Sequence, residues 1–253
     1  MSDSLKTVKK ISSELSALGI RKKGVLLVHS SFGSVKAEVS NPELLIMAFL
    51  DALGPEGTLL MPALSYEIVT DNNPEFHIDK TPSNVGYLTE YFRTRPGTLR
   101  SMHPTHSLCA TGDKAHEILT DHRLDITPVG KNSPFRKLTE LKGQILMLGC
   151  GLRPSTSMHG VEELVIPPYL FGGELYYRLI DGTGNIKSRL YKKHGFKGWI
   201  QRYDRLENIL ISPELKKGAI AGADTWLIES KVLWEKGREA LQQNPLFFVD
   251  KAG

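Results

Sequence analysis

The sequence predicts an α/β fold with a mixed, largely parallel sheet and an antiparallel part near the C-terminus. Two short apolar runs, at residues 25–28 and 58–61, each follow a glycine and are typical of strands buried on both faces of a sheet. A helix predicted to start at Asn41 and Pro42 separates them, and this strand–loop–helix–strand order is typical of α/β proteins. Residues 175–181 and 186–191 flank a glycine-containing turn and predict a hairpin.

The first half of the chain supports this fold element by element. Apolar residues at positions 5, 8, 11, 15 and 18 have helical spacing, and Gly19 is a predicted helix end. Asn41 is a predicted N-cap, with Pro42 at the first helical position. Residues 62–85 form the longest irregular stretch, and loops of that length are usually functional or mobile.

The second half repeats the pattern. Residues 143–149 predict a strand followed by a glycine-rich turn, and a helix is expected from about Thr156. Residues 223–241 end in an amphipathic helix, with Leu227, Val232, Leu233 and Leu241 as candidate core positions. No internal repeat interrupts this order, so we expect one domain over residues 1–253.

The composition is that of a globular protein with a sizeable core, because 40% of the residues are hydrophobic and 24% are charged. The formal net charge of +4 indicates either a solvated surface or an anionic partner such as a phosphorylated cofactor. No apolar stretch approaches the ~18 residues that span a bilayer. We expect no membrane partner and no nucleic-acid partner.

The N-terminus and the cysteines favour a cytoplasmic protein. The first twenty residues are polar and amphipathic and do not resemble a secretory signal. The two cysteines, Cys109 and Cys150, do not have the spacing of a metal-binding pair and are expected to be reduced thiols, although one disulfide between them stays open.

Two polar segments are candidate binding sites. Residues 28–33 follow a buried strand, and ligands of open α/β sheets bind outside the carboxyl ends of strands. Hydroxyls and backbone N–H groups in such a loop can hold phosphate or amide oxygens, although an ordinary polar loop would look the same. Residues 100–107 contain His103 and His106, which could bind a metal, but Pro104 opposes a helix between them and no third ligand is evident.

Two further segments are candidates for chemistry. His159 and Glu162 are three residues apart in a predicted helix and therefore share a face. A carboxylate beside an imidazole supports its positive form, as a general base requires, or the two are an incidental surface pair. Residues 191–196 are either a basic clamp or a solvated strand end. Nothing acid–base adjoins Cys150, so we interpret it as structural.

Five ordered segments together resemble the aminoglycoside 3-N-acetyltransferase family. They read LLVHSSF at residues 26–32, GTLLMP at 57–62, RSMHPTHS at 100–107, SPFRKL at 133–138 and ILMLGCGLRPSTSMHGVE at 145–162. The resemblance implies a three-layer α/β/α sandwich. It also implies acetyl-CoA as cosubstrate, no metal, and direct transfer of the acetyl group to an amine, at the 3-N position of an aminoglycoside antibiotic or related amino sugar.

The resemblance also assigns site residues. By motif position, His159 is the family's catalytic histidine and Glu162 its companion carboxylate. The residues implied to bind CoA are His29, Ser30, Ser31, Phe32, Lys36, His103 and Ser107. A polyamine acceptor needs carboxylates, since a buried cation must be paired. The candidate acceptor carboxylates are Glu67, Asp71, Asp79 and Glu163.

Other functions stay open from the sequence. The acceptor could be an amine that is not an antibiotic. A metal-dependent hydrolase using His103, His106 and His159 would contain stoichiometric zinc. A non-catalytic CoA-binding module would bind CoA without releasing its thiol to any amine. In every case we expect small-molecule partners, and a homodimer is left open.

Overall fold

The structure is a computed structural model that describes residues 3–35 and 37–253. The helices are α1 (Asp3–Leu18), α2 (Phe32–Val35), α3 (Pro42–Leu53), α4 (Tyr87–Thr94), α5 (Ala115–Leu119), α6 (Pro134–Glu140), α7 (Met158–Val165) and α8 (Ser230–Gln243). Two 3₁₀ turns span Thr120–Leu124 and Tyr203–Asn208. The strands are β1 (Val25–Ser30), β2 (Thr58–Pro62), β3 (Glu75–His77), β4 (Leu99–Arg100), β5 (Leu108–Gly112), β6 (Gln144–Leu148), β7 (Phe171–Ile180), β8 (Ile186–His194), β9 (Trp199–Gln201), β10 (Leu215–Ile220), β11 (Ala223–Glu229) and β12 (Val249–Lys251).

A mixed seven-stranded sheet lies at the centre, in the order β10-β11-β6-β1-β2-β5-β4. β1 pairs in parallel with both β2 and β6, and antiparallel pairs extend the sheet on both sides. Five of the seven strands therefore run in one direction, which confirms the predicted mixed, largely parallel sheet. β10 and β11 are its antiparallel C-terminal part, and β4 and β5 add an antiparallel edge that the sequence did not predict.

Helices cover both faces of this sheet, because successive residues of a strand point to opposite sides. Leu26 and Val28 of β1 pack into a core with α1, α3 and α4. Val25 and Leu27 of the same strand pack into a second core with α5, α6, α7 and α8. This arrangement confirms the three-layer α/β/α sandwich. No helix among residues 3–35 and 37–253 is both long and apolar enough to cross a membrane.

The predicted hairpin is present, but it belongs to a separate three-stranded sheet rather than to the central one. β7 and β8 pair antiparallel, and β3, from the long irregular stretch, pairs in parallel with β7. Many side chains of β7 are exposed, in contrast to the fully buried β2 and β6, so the hairpin could not fit inside the sandwich. This small sheet has its own apolar cluster, formed by Val69, Phe76, Tyr177, Leu179 and Tyr191.

Helices α7 and α8 approach closely at Gly160. A Cβ atom added there would lie 2.3 Å from Cη2 of Trp234 and 2.8 Å from Cγ1 of Val129. The indole of Trp234 is fixed because its Nε1 donates a hydrogen bond to Ser157 Oγ at 2.8 Å. Only a glycine therefore fits between this ring and the backbone of α7.

We expect Gly160→Ala to lower the free energy of unfolding by about 1–3 kcal/mol, the usual cost of overpacking a core. The clash outweighs the gain in helix propensity, which is about 1 kcal/mol. Urea denaturation measures the change. Gly237→Ala in α8 is the matched control, because its Cβ would lie 3.1 Å from Val161 Cγ1 and 3.2 Å from the flexible end of Met158. Equal losses in the two variants would contradict this account.

Candidate active site

A cavity of about 790 Å³ opens at the carboxyl ends of the three parallel strands. His29 and Ser30 end β1, Pro62 ends β2, and Cys150 follows β6, and all four line the cavity. This is the edge at which open α/β sheets bind their ligands. The opposite wall comes from the small sheet, where residues 191–197 of β8 and the following loop line the same space.

His159 and Glu162 lie together in α7, as their spacing of three residues predicts. Nδ1 of His159 is 3.3 Å from Oε2 of Glu162. The His159 ring lines the cavity, whereas Glu162 is fully buried behind it with 0% of its surface exposed. Glu162 can therefore act on the imidazole but has no access to a molecule in the cavity.

Two buried tyrosines hold the Glu162 carboxylate. Tyr203 donates a hydrogen bond to Oε2 at 2.7 Å and Tyr169 donates to Oε1 at 2.9 Å. Burial, together with the Glu162 charge, raises the pKa of both phenols, so both stay protonated and donate. The hydroxyl of Tyr203 is also 3.0 Å from Nδ1 of His159. Since Tyr203 gives its hydrogen to Glu162, Nδ1 carries the ring proton, and Nε2 of His159 keeps a lone pair.

Other histidine rings surround His159. The ring centroids of His106 and His194 lie 5.5 Å and 5.1 Å from that of His159. Burial, and after it the charge of neighbouring histidines, lowers the pKa of His106 and His194 well below its ordinary value. Burial and His159 lower the pKa of His29 to about 3. These rings are neutral near pH 7, so they do not repel a positive charge on His159.

The three rings of His106, His159 and His194 also form the one group among the described residues that could hold a metal ion. One nitrogen of each lies within 4.8 Å of the others. His103 is not part of it, because its Nε2 is 3.1 Å from the carbonyl of Thr127 and its Nδ1 accepts from the N–H of His106 at 3.0 Å. The hydrolase set that the sequence left open is therefore not assembled.

The residues predicted to bind CoA are only partly brought together. His29, Ser30 and His103 line the cavity. Ser107 is fully buried, and its hydroxyl donates to the carbonyl of Ala63 at 2.8 Å and accepts from Nε of Arg100 at 2.9 Å. These bonds give Ser107 a structural role in joining β2 to the loop before β5.

The other predicted CoA residues follow β1. Ser31 and Phe32 are not among the residues that line the cavity. The N–H of Ser31 donates to the carbonyl of Leu148, and the ring of Phe32 packs on that of Tyr87 with centroids 5.4 Å apart. Lys36 lies outside the described residues.

Of the predicted acceptor carboxylates, only Asp71 lines the cavity, and it is paired with Lys193. Glu163 is buried behind the wall, where it accepts from Thr127 Oγ1, Val129 N and His194 Nε2. Glu67 is exposed elsewhere, and Asp79 lines a different depression.

The charged side chains on the described cavity wall are mostly basic. Against the single carboxylate of Asp71 they are Arg153, Lys192, Lys193 and Lys197. A basic cleft attracts anions such as the phosphates of a nucleotide. The sequence indicated this only through the charge excess in the later part of the chain.

Cys150 lines the cavity but does not have the properties of a nucleophile. Burial raises the pKa of its thiol to about 11, so the thiolate is scarce near neutral pH. Cys109 is buried, and both cysteines are free thiols. This agrees with a structural interpretation of Cys150.

Comparisons with known proteins converge on one family. The family model described as aminoglycoside 3-N-acetyltransferase matches residues 27–242. Aminoglycoside N(3)-acetyltransferase IV of Salmonella sp is 36% identical over 237 residues, which cover 93% of this chain and 87% of that protein. A structure of AAC-IIIb with CoASH superposes with a TM-score of 0.82 at 28% identity, covering 93% of this chain and 96% of that one. A histidine-to-alanine variant of aminoglycoside acetyltransferase AAC(3)-IVa, in complex with a gentamicin, has a TM-score of 0.81 at 30% identity, covering 95% and 90%.

Proposed function

The chain belongs to the aminoglycoside 3-N-acetyltransferase family, and from this premise we propose that it transfers the acetyl group of acetyl-CoA to an amine. The acceptor we favour is an aminoglycoside or a related amino sugar, acetylated at its 3-N position. The observation that carries the proposal is His159 in the cavity wall, with Nε2 free and Nδ1 held by Glu162 and Tyr203.

The proposed chemistry is a direct transfer. The neutral amine attacks the thioester carbon, the C–N bond forms, and the C–S bond breaks to release the CoA thiolate. Nε2 of His159 takes the proton that the amine nitrogen loses, as a general base. The buried Glu162 carboxylate stabilises the resulting imidazolium, and the uncharged rings of His106 and His194 do not oppose it.

The donor is proposed to lie against His29, Ser30 and the basic side chains of the wall. Arg153 and Lys197 are placed to attract the phosphates of CoA, because they line the same cavity as His159. Support comes from AAC-IIIb, a structural neighbour that was solved with CoASH. Ser107 is not included, since both of its hydrogen bonds are made within the protein.

A second candidate acceptor follows from the same wall. An aminoglycoside is a polycation, and it would meet a single wall carboxylate, Asp71, already paired with Lys193. An amine with one positive charge would be repelled less. The second candidate is therefore a small mono-amine that is not an antibiotic, acetylated by the same mechanism.

An acceptor screen tests both candidates. We would measure release of the CoA thiol from acetyl-CoA with gentamicin, apramycin and glucosamine, with acceptor-free reactions as the control. Turnover of the aminoglycosides is the expected result. Turnover of glucosamine alone would favour the mono-amine. CoA binding without thiol release for any amine would overturn the proposed function in favour of a binding module.

Two further expectations stay predictions. A homodimer would be seen by light scattering on the purified protein. A cytoplasmic location would be tested by fractionation of cells that express the chain.

A further inference from the structure

Three histidines from separate parts of the chain converge at the base of the cavity. His106 precedes β5, His159 belongs to α7 and His194 ends β8. Their ligand atoms all lie within 4.8 Å of one another, so one point lies within about 2.8 Å of all three. Zn–N bonds are about 2.0–2.1 Å long, so each nitrogen would need to move by about 0.7 Å to bind a zinc ion.

The second nitrogen of each ring already has a partner. Nδ1 of His106 is 2.9 Å from Oγ1 of Thr105. Nδ1 of His159 is held by Glu162 and Tyr203, as described above. Nε2 of His194 is 2.9 Å from Oε1 of Glu163.

The nitrogens left over among the described contacts are Nε2 of His106, Nε2 of His159 and Nδ1 of His194. The last of these is buried and has no hydrogen-bond partner. Histidines that bind a metal almost always have their other nitrogen bonded to a carboxylate, carbonyl or water. Here two of the three outer partners are the carboxylates of Glu162 and Glu163, which also oppose the charge of a cation.

We propose that His106, His159 and His194 form an inhibitory site for a divalent transition-metal ion that prefers imidazole ligands, with Zn²⁺ as its test ion. Neutral imidazole suits such ions, and three histidines leave a fourth position open to the cavity. The inhibitory part rests on the proposed function. Zn²⁺ bound to Nε2 of His159 takes up the lone pair that would accept the proton of the amine.

Binding is tested first, without substrates. Purified protein treated with a chelator is titrated with Co²⁺, and the visible absorption of tetrahedral cobalt is recorded before Zn²⁺ displaces it. We expect one ion per chain and no thiolate-to-cobalt band, because the ligands are nitrogens. Absence of the visible bands, or a strong thiolate band from Cys150, overturns the site in the wild-type protein itself.

Variants then locate the ion. His106→Gln and His194→Gln are each expected to weaken Zn²⁺ binding at least tenfold in equilibrium dialysis, provided the thermal unfolding midpoint is unchanged. His116→Gln, an exposed histidine in α5, and Cys150→Ser are matched controls that should bind as the wild type does. Unchanged binding in both cavity variants, or loss in Cys150→Ser, overturns the assignment.

Inhibition is measured on the acetylated product by mass spectrometry, because zinc also binds the free CoA thiol. We expect at least a tenfold loss of product formation at a Zn²⁺ concentration that fills the site. Full activity with the site filled overturns the inhibitory role. A protein that binds the ion but acetylates no amine contradicts the proposed function and leaves the metal site standing.

Discussion

Replacing His159 by alanine is expected to lower kcat by at least about two orders of magnitude, the lower end of what general-base catalysis contributes. The acceptor amine is mostly protonated near neutral pH, and its nitrogen must lose a proton as the C–N bond forms. His159 presents Nε2 to the cavity and is supported by a buried carboxylate, so it is the group placed to take that proton. Steady-state kinetics at saturating substrates measures kcat, and calorimetry with CoA tests whether donor binding survives.

The matched control is His116→Ala, because that side chain is exposed on α5 outside the cavity and should leave kcat unchanged. A His159→Ala enzyme with near wild-type kcat would remove His159 from the mechanism. His106 would then be the residue to test, since it also lines the cavity.

Replacing Glu162 by glutamine is expected to lower kcat by about tenfold to a hundredfold, as for loss of a hydrogen bond to a charged group. The acceptor KM should be unchanged, because Glu162 is 0% exposed and acts only through the imidazole. Glutamine keeps the size of the side chain but loses the charge that stabilises the imidazolium. Measurement of kcat and KM separately distinguishes this role from substrate binding.

Glu163→Gln is the control for removing a buried carboxylate from the same helix. Glu163 bonds to His194 and Thr127 rather than to His159, so its loss should lower kcat less. A higher acceptor KM with wild-type kcat in Glu162→Gln would instead mean that Glu162 binds the acceptor cation.

Local patterns made parts of the site predictable from sequence. His159 and Glu162 are three residues apart in one helix, so their contact follows from helical geometry. Tyr203 lies 41 residues after Glu162 in a 3₁₀ turn, and no periodicity links the two. Its role depends on tertiary packing, which single-sequence patterns do not encode.

The limits for the other site residues have a similar origin. The prediction for Ser107 rested on a motif, whereas its hydroxyl is used by Arg100 and the backbone of Ala63. Acidic composition in residues 62–85 suggested an acceptor wall, but composition does not fix side-chain direction, and only Asp71 faces the cavity.

Strands were predictable where burial is continuous. β1, β2 and β6 are buried at nearly every position and therefore appear as apolar runs. β3 and β4 have three and two residues, too few for any pattern. The hairpin was identified by its turn, but its alternate exposure was needed to show that it forms its own sheet.

The two walls of the cavity have separate structural origins. The proton acceptor stands on α7, inside the sandwich, whereas the facing wall is β8, whose sheet packs around its own apolar cluster. Amino-acid changes at exposed positions of β7 and β8 can therefore accumulate without disturbing the residues that support His159. For protein engineering, this makes the hairpin the part to randomise when a new acceptor is wanted on an unaltered reaction. Over evolutionary time, the same separation would let one catalytic helix serve enzymes with different acceptors.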